Sequence, residues 1–517
     1  MKKLLSILLA IAMITCLFAG CGGGEGTTAP TKVVGGNTTA PTNSTSGGDA
    51  TNSTSGDNTQ PTESTSGGIV VEDLKGITDT TIYVGNTAGV TGALAAIGGP
   101  FNIGIQAAFA AYNAQGGFKG LNVELINYDD QGDATQSVTY MNQLVYDDEV
   151  FAIVGNFGSY AVAANLDILI DAGVPMVYAA AGNDILFNDN AQDGERAIFP
   201  VQPLNHTEGQ MLILRAFAPY EQGGMGGTKV GVLTNNDEAS QTMLSGIKAE
   251  AAASNLESKI VYQNVAGDDF SAAVNAFKNA ECDVVVIAVT GSYFTTSLLA
   301  MANANFYPMV LTTYNNSNAA MFNNGNFLKT EYEAVLDNIN IFAQAWLDIT
   351  STEYVFDVNA ETALGNAYKS LYALMGADYT GVVGFNEEYW AVAQAIYDYC
   401  VAQGRSDALN MSYDSYALAG YIAGDLFCKG LEALEASGKD LTRANYIDIM
   451  ESQEFKVAMA GNISFANGMR AGVQEFALTW IYDLYDFNNG VYHSASSTTV
   501  SGLISMEAFR DMLKAAD

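Results

Sequence analysis

The sequence predicts an α/β protein built as two doubly wound parallel-sheet lobes. Three observations carry that prediction. Apolar strand runs alternate with segments of helical period, once across about 80–203 and again across about 229–345. The runs are continuous, as in VFAIVGN and CDVVVIAVTG, which marks strands covered on both faces. The last segment, 470–517, is too short to be a domain, so the chain must return to lobes already built. Strand alternating with helix gives right-handed βαβ units.

The chain opens with Lys2 and Lys3, an apolar run from Leu4 to Phe18, and then Ala19-Gly20-Cys21. About 15 apolar residues are too few for a membrane span and suit a secretory signal. Small residues before a cysteine are similar to the bacterial lipobox, in which the cysteine is lipidated and becomes the new N-terminus. Phe18 stands where that motif usually has Leu. Residues 1–20 are therefore expected to be a lipoprotein signal peptide, with the lipid on Cys21. Gly22 to Gly68 are almost all Gly, Ser, Thr, Asn, Pro and acids, and TNSTSG occurs at 42–47 and again at 51–56. Such a composition builds no core, so 21–75 reads as the lipidated cysteine and a disordered linker. A flexible coil of that length spans roughly 40 Å.

The first series begins with the strand TTIYVGN (80–86), then PFNIGIQAAFAAYNAQGG (100–117) with helical spacing and a glycine stop. LNVELINYDD, VFAIVGN and VPMVYAAAG follow as strands, with a helix through about Tyr146 and another at SYAVAANLDILIDAG. The second series has strands KVGVLTNND, SKIVYQNV, CDVVVIAVTG and YPMVLTTYN, with helices over 239–254 and near 269–279 and 294–305. Residues 346–470 are mostly helical, most strongly near 386–402 and 414–437; NISFANG (462–468) and EFALTWIYD (475–483) read as late strands. The expected division is 76–203 plus 346–472 for the first lobe and 204–345 plus 473–517 for the second.

Composition narrows the function. Charged residues make up 15% of the 517, with 56 acidic against 21 basic and a formal net charge of −35. That charge repels phosphate backbones, so nucleic acid is not an expected partner. It also gives no attraction to anionic lipid surfaces. Beyond the leader only Cys282, Cys400 and Cys428 remain, which allows at most one disulfide. Cys282 opens an apolar run and Cys428 lies in a helical stretch, and both read as buried thiols.

In open α/β sheets ligands bind beyond the carboxyl ends of the strands and between lobes. Those ends read VGNTAGVTG, YDDQGD, VGNFGSY, YAAAGND, LTNNDEAS, VTGSYF and TTYNNSN. They are rich in Gly, Ala, Ser, Thr, Tyr and Asn and nearly free of Lys, Arg and His. This suits a small polar or zwitterionic molecule and suits a polyphosphate badly. Ser159 is no nucleophile elbow, because Phe157 and Ala161 stand where that motif needs glycine. His206 and His493 are the only histidines, and both fall in polar connecting stretches. There is no GK[ST] phosphate loop and no metal-ligand spacing. Asp129-Asp130 read as loop solvation or capping rather than paired catalytic acids. The loops suit a binder rather than an enzyme, with no cofactor expected.

Longer motifs carry a resemblance. VGNTAGVTGALAAIGGPFNIGIQAAFAAYNAQGGFKGLNVELINYDDQGDATQSV has a T-G near its start, an N-A-x-G-G-x-x-G turn from Asn113 to Gly120, and a D-D after the second strand. VGNFGSYAVAANLDILIDAGVPMVYAAAGND follows without a gap, and GNISFANGMRAG matches late in the chain. Residues 78 to about 510 thereby resemble the extracellular solute-binding proteins of branched-chain amino-acid ABC transporters, of the type I periplasmic-binding fold. The resemblance implies two lobes joined by three crossovers, closing over a small amino-acid-like or amide-like ligand. It implies an ABC permease as partner and a place on the outer face of the cell membrane, held by the N-terminal lipid. It implies ligand contacts at Ser159, which would take a carboxylate, with Tyr160 beside it, and at Ala180, Gly182 and Ile97 on the first lobe. On the second lobe it implies Ser292, Tyr293, Tyr314 and Asn315. Gly182 departs from the family's usual Thr, and Asn315 stands at or near the acid that pairs with a ligand ammonium. Asp237 or Glu238 would have to substitute, or the ligand lacks that charge. A receptor subunit with the same fold and a surface α/β enzyme are the alternatives.

Overall fold

The computed structural model describes residues 75–317, 319–324, 327–348, 387–485 and 493–516. The expected signal peptide, Cys21, the linker through residue 74 and positions 349–386 lie outside the described residues.

The first sheet is built from β1 (Thr81–Ala88), β2 (Asn122–Asp129), β3 (Ala152–Val154), β4 (Met176–Val177) and β5 (Ile198–Phe199), with helices α1 (Ala95–Ala114), α2 (Ala134–Asn142) and α3 (Ser159–Ala172) between them. All its pairings are parallel, in the order β2-β1-β3-β4-β5. Ile82, Val84, Ile153, Val154, Val177 and Phe199 are fully buried, as uninterrupted apolar strands require.

The chain then crosses to the second lobe. There it forms α4 (Asn205–Phe217), β6 (Val230–Asn235), α5 (Glu238–Ala253), β7 (Ile260–Val265), α6 (Ser271–Asn279), β8 (Val284–Ile287), α7 (Ser292–Asn303), β9 (Met309–Thr312) and β10 (Ile341–Ala345). Three helices, α8 (Glu387–Ala402), α9 (Ser415–Ser437) and α10 (Arg443–Ser452), return to the first core. Asp414 caps α9 by accepting from the Tyr416 and Ala417 N–H groups, and Gly438 at φ 72° ends it. Helices α1 and α9 touch backbone to backbone: a Cβ on Gly104 would run into the Ala417 carbonyl, and one on Gly420 into that of Phe101. Hence Ile105 and Phe109 share one core with Leu418, Phe427 and Leu431.

Both expected late strands are present. NISFANG does not join a lobe sheet. Its strand β12 (Gly461–Ser464) pairs with β11 (Glu454–Val457) in a separate antiparallel ribbon. The long strand β13 (Glu475–Tyr485) does return to the second lobe, and it brings a partner, β14 (His493–Ser505), before the final helix α11 (Met506–Ala516). The second sheet therefore runs β14-β13-β10-β9-β8-β6-β7, with parallel pairings except those of β13, which is antiparallel to both β10 and β14. The sequence SASSTTVSG conceals β14, since a polar edge strand carries no apolar run. His493 thus opens a strand, and His206 lies in the first turn of α4; neither is in a connecting stretch.

Two crossovers lie side by side. Val473 N–H donates to the Val201 carbonyl at 2.9 Å, and the Thr207 hydroxyl to the Ala471 carbonyl at 2.9 Å. Cys282, Cys400 and Cys428 are free and buried. Among the described residues no helix is long and apolar enough to cross a membrane, and no group of three His, Cys, Asp or Glu is placed to hold a metal.

Candidate ligand-binding site

The carboxyl ends of the parallel strands carry the loops that the sequence points to. On the first lobe the chain leaves β3 through Gly155, Asn156, Phe157 and Gly158 and turns into α3 at Ser159. Gly158 has φ 95° and ψ 138°, a conformation that L side chains rarely adopt. A Cβ there would also strike the ring edge of Tyr160. This turn leaves Ser159 exposed as the first helical residue. The first amides of a helix lack intrahelical partners, so hydroxyl and N–H groups together favour an anion.

Tyr160 has another task. Its hydroxyl donates to Asp130 Oδ1 at 2.7 Å, which also accepts the Gly132 N–H at 3.0 Å. Burial first, and then the bond to Asp130, push the Tyr160 hydroxyl well above its usual range. Tyr160 thus braces the turn on which Ser159 stands. Asp129 accepts from Val90 N, Thr91 N and the Thr91 hydroxyl, holding the loop after β1. The Asp129-Asp130 pair fastens loops, as capping predicts.

Ala180 uses its main chain within the lobe. Its N–H donates to the Asn156 carbonyl at 2.9 Å, and its carbonyl accepts from Gly158 at 3.2 Å. These bonds tie the loops after β3 and β4 together. Gly182 accepts the Asn205 N–H at 3.0 Å, and a Cβ at Gly182 would lie 2.8 Å from Asn205 Oδ1. A threonine at this position would have to turn the Asn205 side chain aside. Ile97, on α1, is half-buried against the first core.

On the second lobe Gly291, at φ 60°, turns the chain into α7, and Ser292 is exposed as its first residue. Tyr293 leans on Phe270, with ring centroids 6.3 Å apart, and packs against the second-lobe core. After β9 come Thr313, Tyr314 and Asn315. The Tyr314 side chain packs against the first core, the cluster that holds Phe157, Tyr178 and Trp346. Asn315 is exposed, and both its main-chain N–H and its Nδ2 reach Thr313 Oγ1, at 3.2 and 3.3 Å.

Residues unmarked in the sequence organise these loops. Asn316, fully buried, donates from Nδ2 to the Val289 carbonyl and to Thr312 Oγ1, both at 2.8 Å. Its Oδ1 accepts the Gly291 N–H at 3.2 Å, which joins the loops after β8 and β9. Glu208, fully buried on α4, accepts the Tyr314 N–H at 2.7 Å and the Thr313 hydroxyl at 2.8 Å. Desolvation raises its carboxyl to about 7 despite those two bonds. Polar residues spaced along an apolar stretch give no pairing signal until the fold brings them together. Asp237 turns to Asn235 Nδ2 at 2.6 Å, whereas Glu238 accepts from Asn183 of the first lobe at 3.5 Å. His206 Nδ1 meets Ser245 Oγ at 3.1 Å, and its ring lies 5.0 Å from that of Phe187, just beyond the loop after β4.

Residues 81–325 match the periplasmic binding protein family model. Leu/Ile/Val-binding protein homolog 2 of Brucella abortus (strain 2308) is 29% identical over 222 residues, covering 41% of this chain and 55% of that protein. The Leu/Ile/Val-binding protein of Escherichia coli (strain K12) is 32% identical over 100 residues, 19% of this chain and 27% of that protein. The matched stretch thus spans about half or less of these relatives' lengths. A fatty acid ABC transporter substrate-binding protein from Thermomonospora curvata superposes with a TM-score of 0.56 at 16% identity, over 85% of this chain and 96% of that one. An ABC transporter substrate-binding protein from Sphaerobacter thermophilus does so at 0.53 and 18%, over 82% and 98%. The sequence match runs from β1 into the second lobe's cleft loops and the structural match covers both sheets, so residues 81–325 belong to the periplasmic binding protein family and the chain has the type I periplasmic-binding fold.

Proposed function

We propose that this chain is the extracytoplasmic solute-binding component of an ABC transporter. It is held at the membrane by a lipid on Cys21, captures a small amino-acid-like or amide-like molecule between its lobes, and presents it to a permease. The observation that carries this reading is the Gly158–Ser159 turn. It leaves a hydroxyl exposed at a braced helix start, a site suited to a carboxylate or carbonyl. The second lobe supplies exposed Ser292 and Asn315 from loops joined by Asn316. Glu238, reaching toward Asn183, replaces the acid that Asn315 lacks, so an ammonium on the ligand finds a carboxylate there. Closure of two such lobes over a ligand is a hinge motion.

A thermal-shift screen of amino acids, amides, ureas and small carboxylic acids tests this. A ligand at 100 times its Kd adds about 2.7 kcal/mol. Ser159→Ala is expected to weaken the hit severalfold or more with the melting temperature of the free protein unchanged. A library without one stabilising compound, or equal affinity in Ser159→Ala, overturns the assignment.

A further inference from the structure

The two oxygens of Glu208 serve two donors from the second-lobe cleft loop. Oε1 accepts the Tyr314 N–H at 2.7 Å and Oε2 the Thr313 hydroxyl at 2.8 Å. Thr313 is fully buried as well. Having donated its proton to Glu208, its hydroxyl offers only lone pairs, and two N–H groups of Asn315 approach them at 3.2 and 3.3 Å. Donation therefore runs one way, from Asn315 to Thr313 to Glu208. Only the last member of this relay is charged.

We propose that Glu208 is a positioning residue for ligand capture, which helps orient Asn315 through Thr313 while ionised and loosens that hold on taking up a proton. This rests on reading the 313–315 loop as a cleft surface. A neutral carboxyl carries a proton that needs an acceptor. The Tyr314 N–H is a donor and offers none. Thr313 Oγ1 is the nearest oxygen, and both its lone pairs face Asn315. Protonated Glu208 must either bury an unpaired O–H or displace an Asn315 contact, and the longer contact, from Nδ2, yields first.

The surroundings leave Glu208 to titrate by itself. Its ionisation responds first to burial, then to its bonds with Tyr314 and Thr313. On its own helix, Arg215 donates to the Ala477 and Phe476 carbonyls, and His206 faces Ser245 and Phe187. On α5, Glu238 faces Asn183 and Glu250 pairs with Arg510. The phenols of Tyr314 and Tyr178 are both raised by burial above their ordinary value, so both stay neutral. The resulting carboxyl, near 7, changes state within the range a secreted protein meets.

The test follows the Asn315 amide by NMR in the full chain labelled with ¹⁵N-asparagine, from pH 5 to 8.5, with the resonance assigned by Asn315→Ser. The expected result is a shift of the Asn315 side-chain signal with its midpoint near the Glu208 value. It should be lost in Glu208→Gln and in Thr313→Val and kept in His206→Gln. With L-leucine as probe, affinity should fall about three- to tenfold from pH 8 to 5.5, the loss of one ordinary hydrogen bond, and be flat in Glu208→Gln. A flat Asn315 signal in the unaltered protein, or a titration that survives in Thr313→Val, overturns the proposal. Failure of L-leucine to bind counts against the ligand reading alone, because the NMR titration needs no ligand.

Discussion

Gly158→Ala tests the turn beneath the candidate site. The backbone at 158 sits at φ 95° and ψ 138°, near the region reserved for glycine, and forcing an alanine there costs about 1–3 kcal/mol. The new Cβ also overlaps the Tyr160 ring edge, so the ring must move. Movement breaks the 2.7 Å bond from the Tyr160 hydroxyl to Asp130 Oδ1. Asp130 is fully buried, and losing a hydrogen bond to a charged acceptor costs about 1.5–3 kcal/mol. Tyr160 is part-exposed, so the lower end of that range applies. The sum is about 2.5–4.5 kcal/mol, which lowers Tm by roughly 5–18 °C for a lobe of this size. Tyr160→Phe removes the hydroxyl without the clash and should show only the smaller share. Calorimetry of both variants, with urea unfolding as a second probe, measures the difference. A Gly158→Ala protein that melts with the unaltered one, or no lower than Tyr160→Phe, would refute the claim that this turn requires glycine.

Three further perturbations follow from the same geometry. Gly182→Thr places a side chain against Asn205 Oδ1, 2.8 Å from the first added atom, and should destabilise by about 1–3 kcal/mol in urea unfolding; a neutral result would mean that the Asn205 side chain turns aside without cost. Glu238→Gln should weaken a bound amino acid about tenfold, or about 1.4 kcal/mol, while leaving the matching acid without an ammonium unaffected, as read by calorimetric titration; equal losses for both would mean that Glu238 does not meet the ammonium. The Glu208 carboxyl lies higher in the folded chain than its ordinary 4.5, at about 7, so the folded state holds that proton more tightly. Its contribution to stability is then complete below about pH 4.5 and lost as pH rises through about 7. The drop in Tm between pH 5 and 8 should be smaller in Glu208→Gln, and an identical pH profile would refute the assignment.

The strands of each series were legible because buried parallel strands must be apolar without interruption, and VFAIVGN and CDVVVIAVTG show it directly. Loops at their carboxyl ends were legible for the same reason. The antiparallel edge was not: β14 is polar along most of its length and depends on β13 and the end of the chain for its place. The exposed residues of the candidate site, Ser159, Ser292 and Asn315, stand at strand ends that composition already marked. Their supports were hidden. Tyr160 looks like a ligand contact in sequence, and only the fold shows its hydroxyl engaged by Asp130, thirty residues earlier. Glu208 looks like a surface acid at a helix start, and its burial follows from the packing of β9 onto α4. Hydrogen-bond partners this far apart in sequence leave no periodic signal.

A binding protein that closes must keep its lobes rigid and confine bending to the segments between them. Two buried arginines divide the molecule in that way. Arg470 donates to the Phe465, Met469 and Arg196 carbonyls and to Glu451, and it stacks on Phe199 and Phe465, which fixes the returning chain to the first lobe. Arg215 donates to the Phe476 and Ala477 carbonyls and stacks on Phe509, which fixes the same chain to the second lobe six residues later. Burial lowers both guanidinium groups, Arg215 to about 9, and yet both stay protonated at neutral pH. Breaking either anchor would leave a buried charge without its partners, a loss of several kcal/mol. Between them lie only Ala471, Gly472, Val473, Gln474 and Glu475. Gly472, at φ 69°, passes so close to the Gln202 carbonyl that no side chain fits. Among the described residues, a rotation of one lobe against the other would fall on this stretch and on the neighbouring segment 201–204, since the residues on either side are held by groups too costly to release.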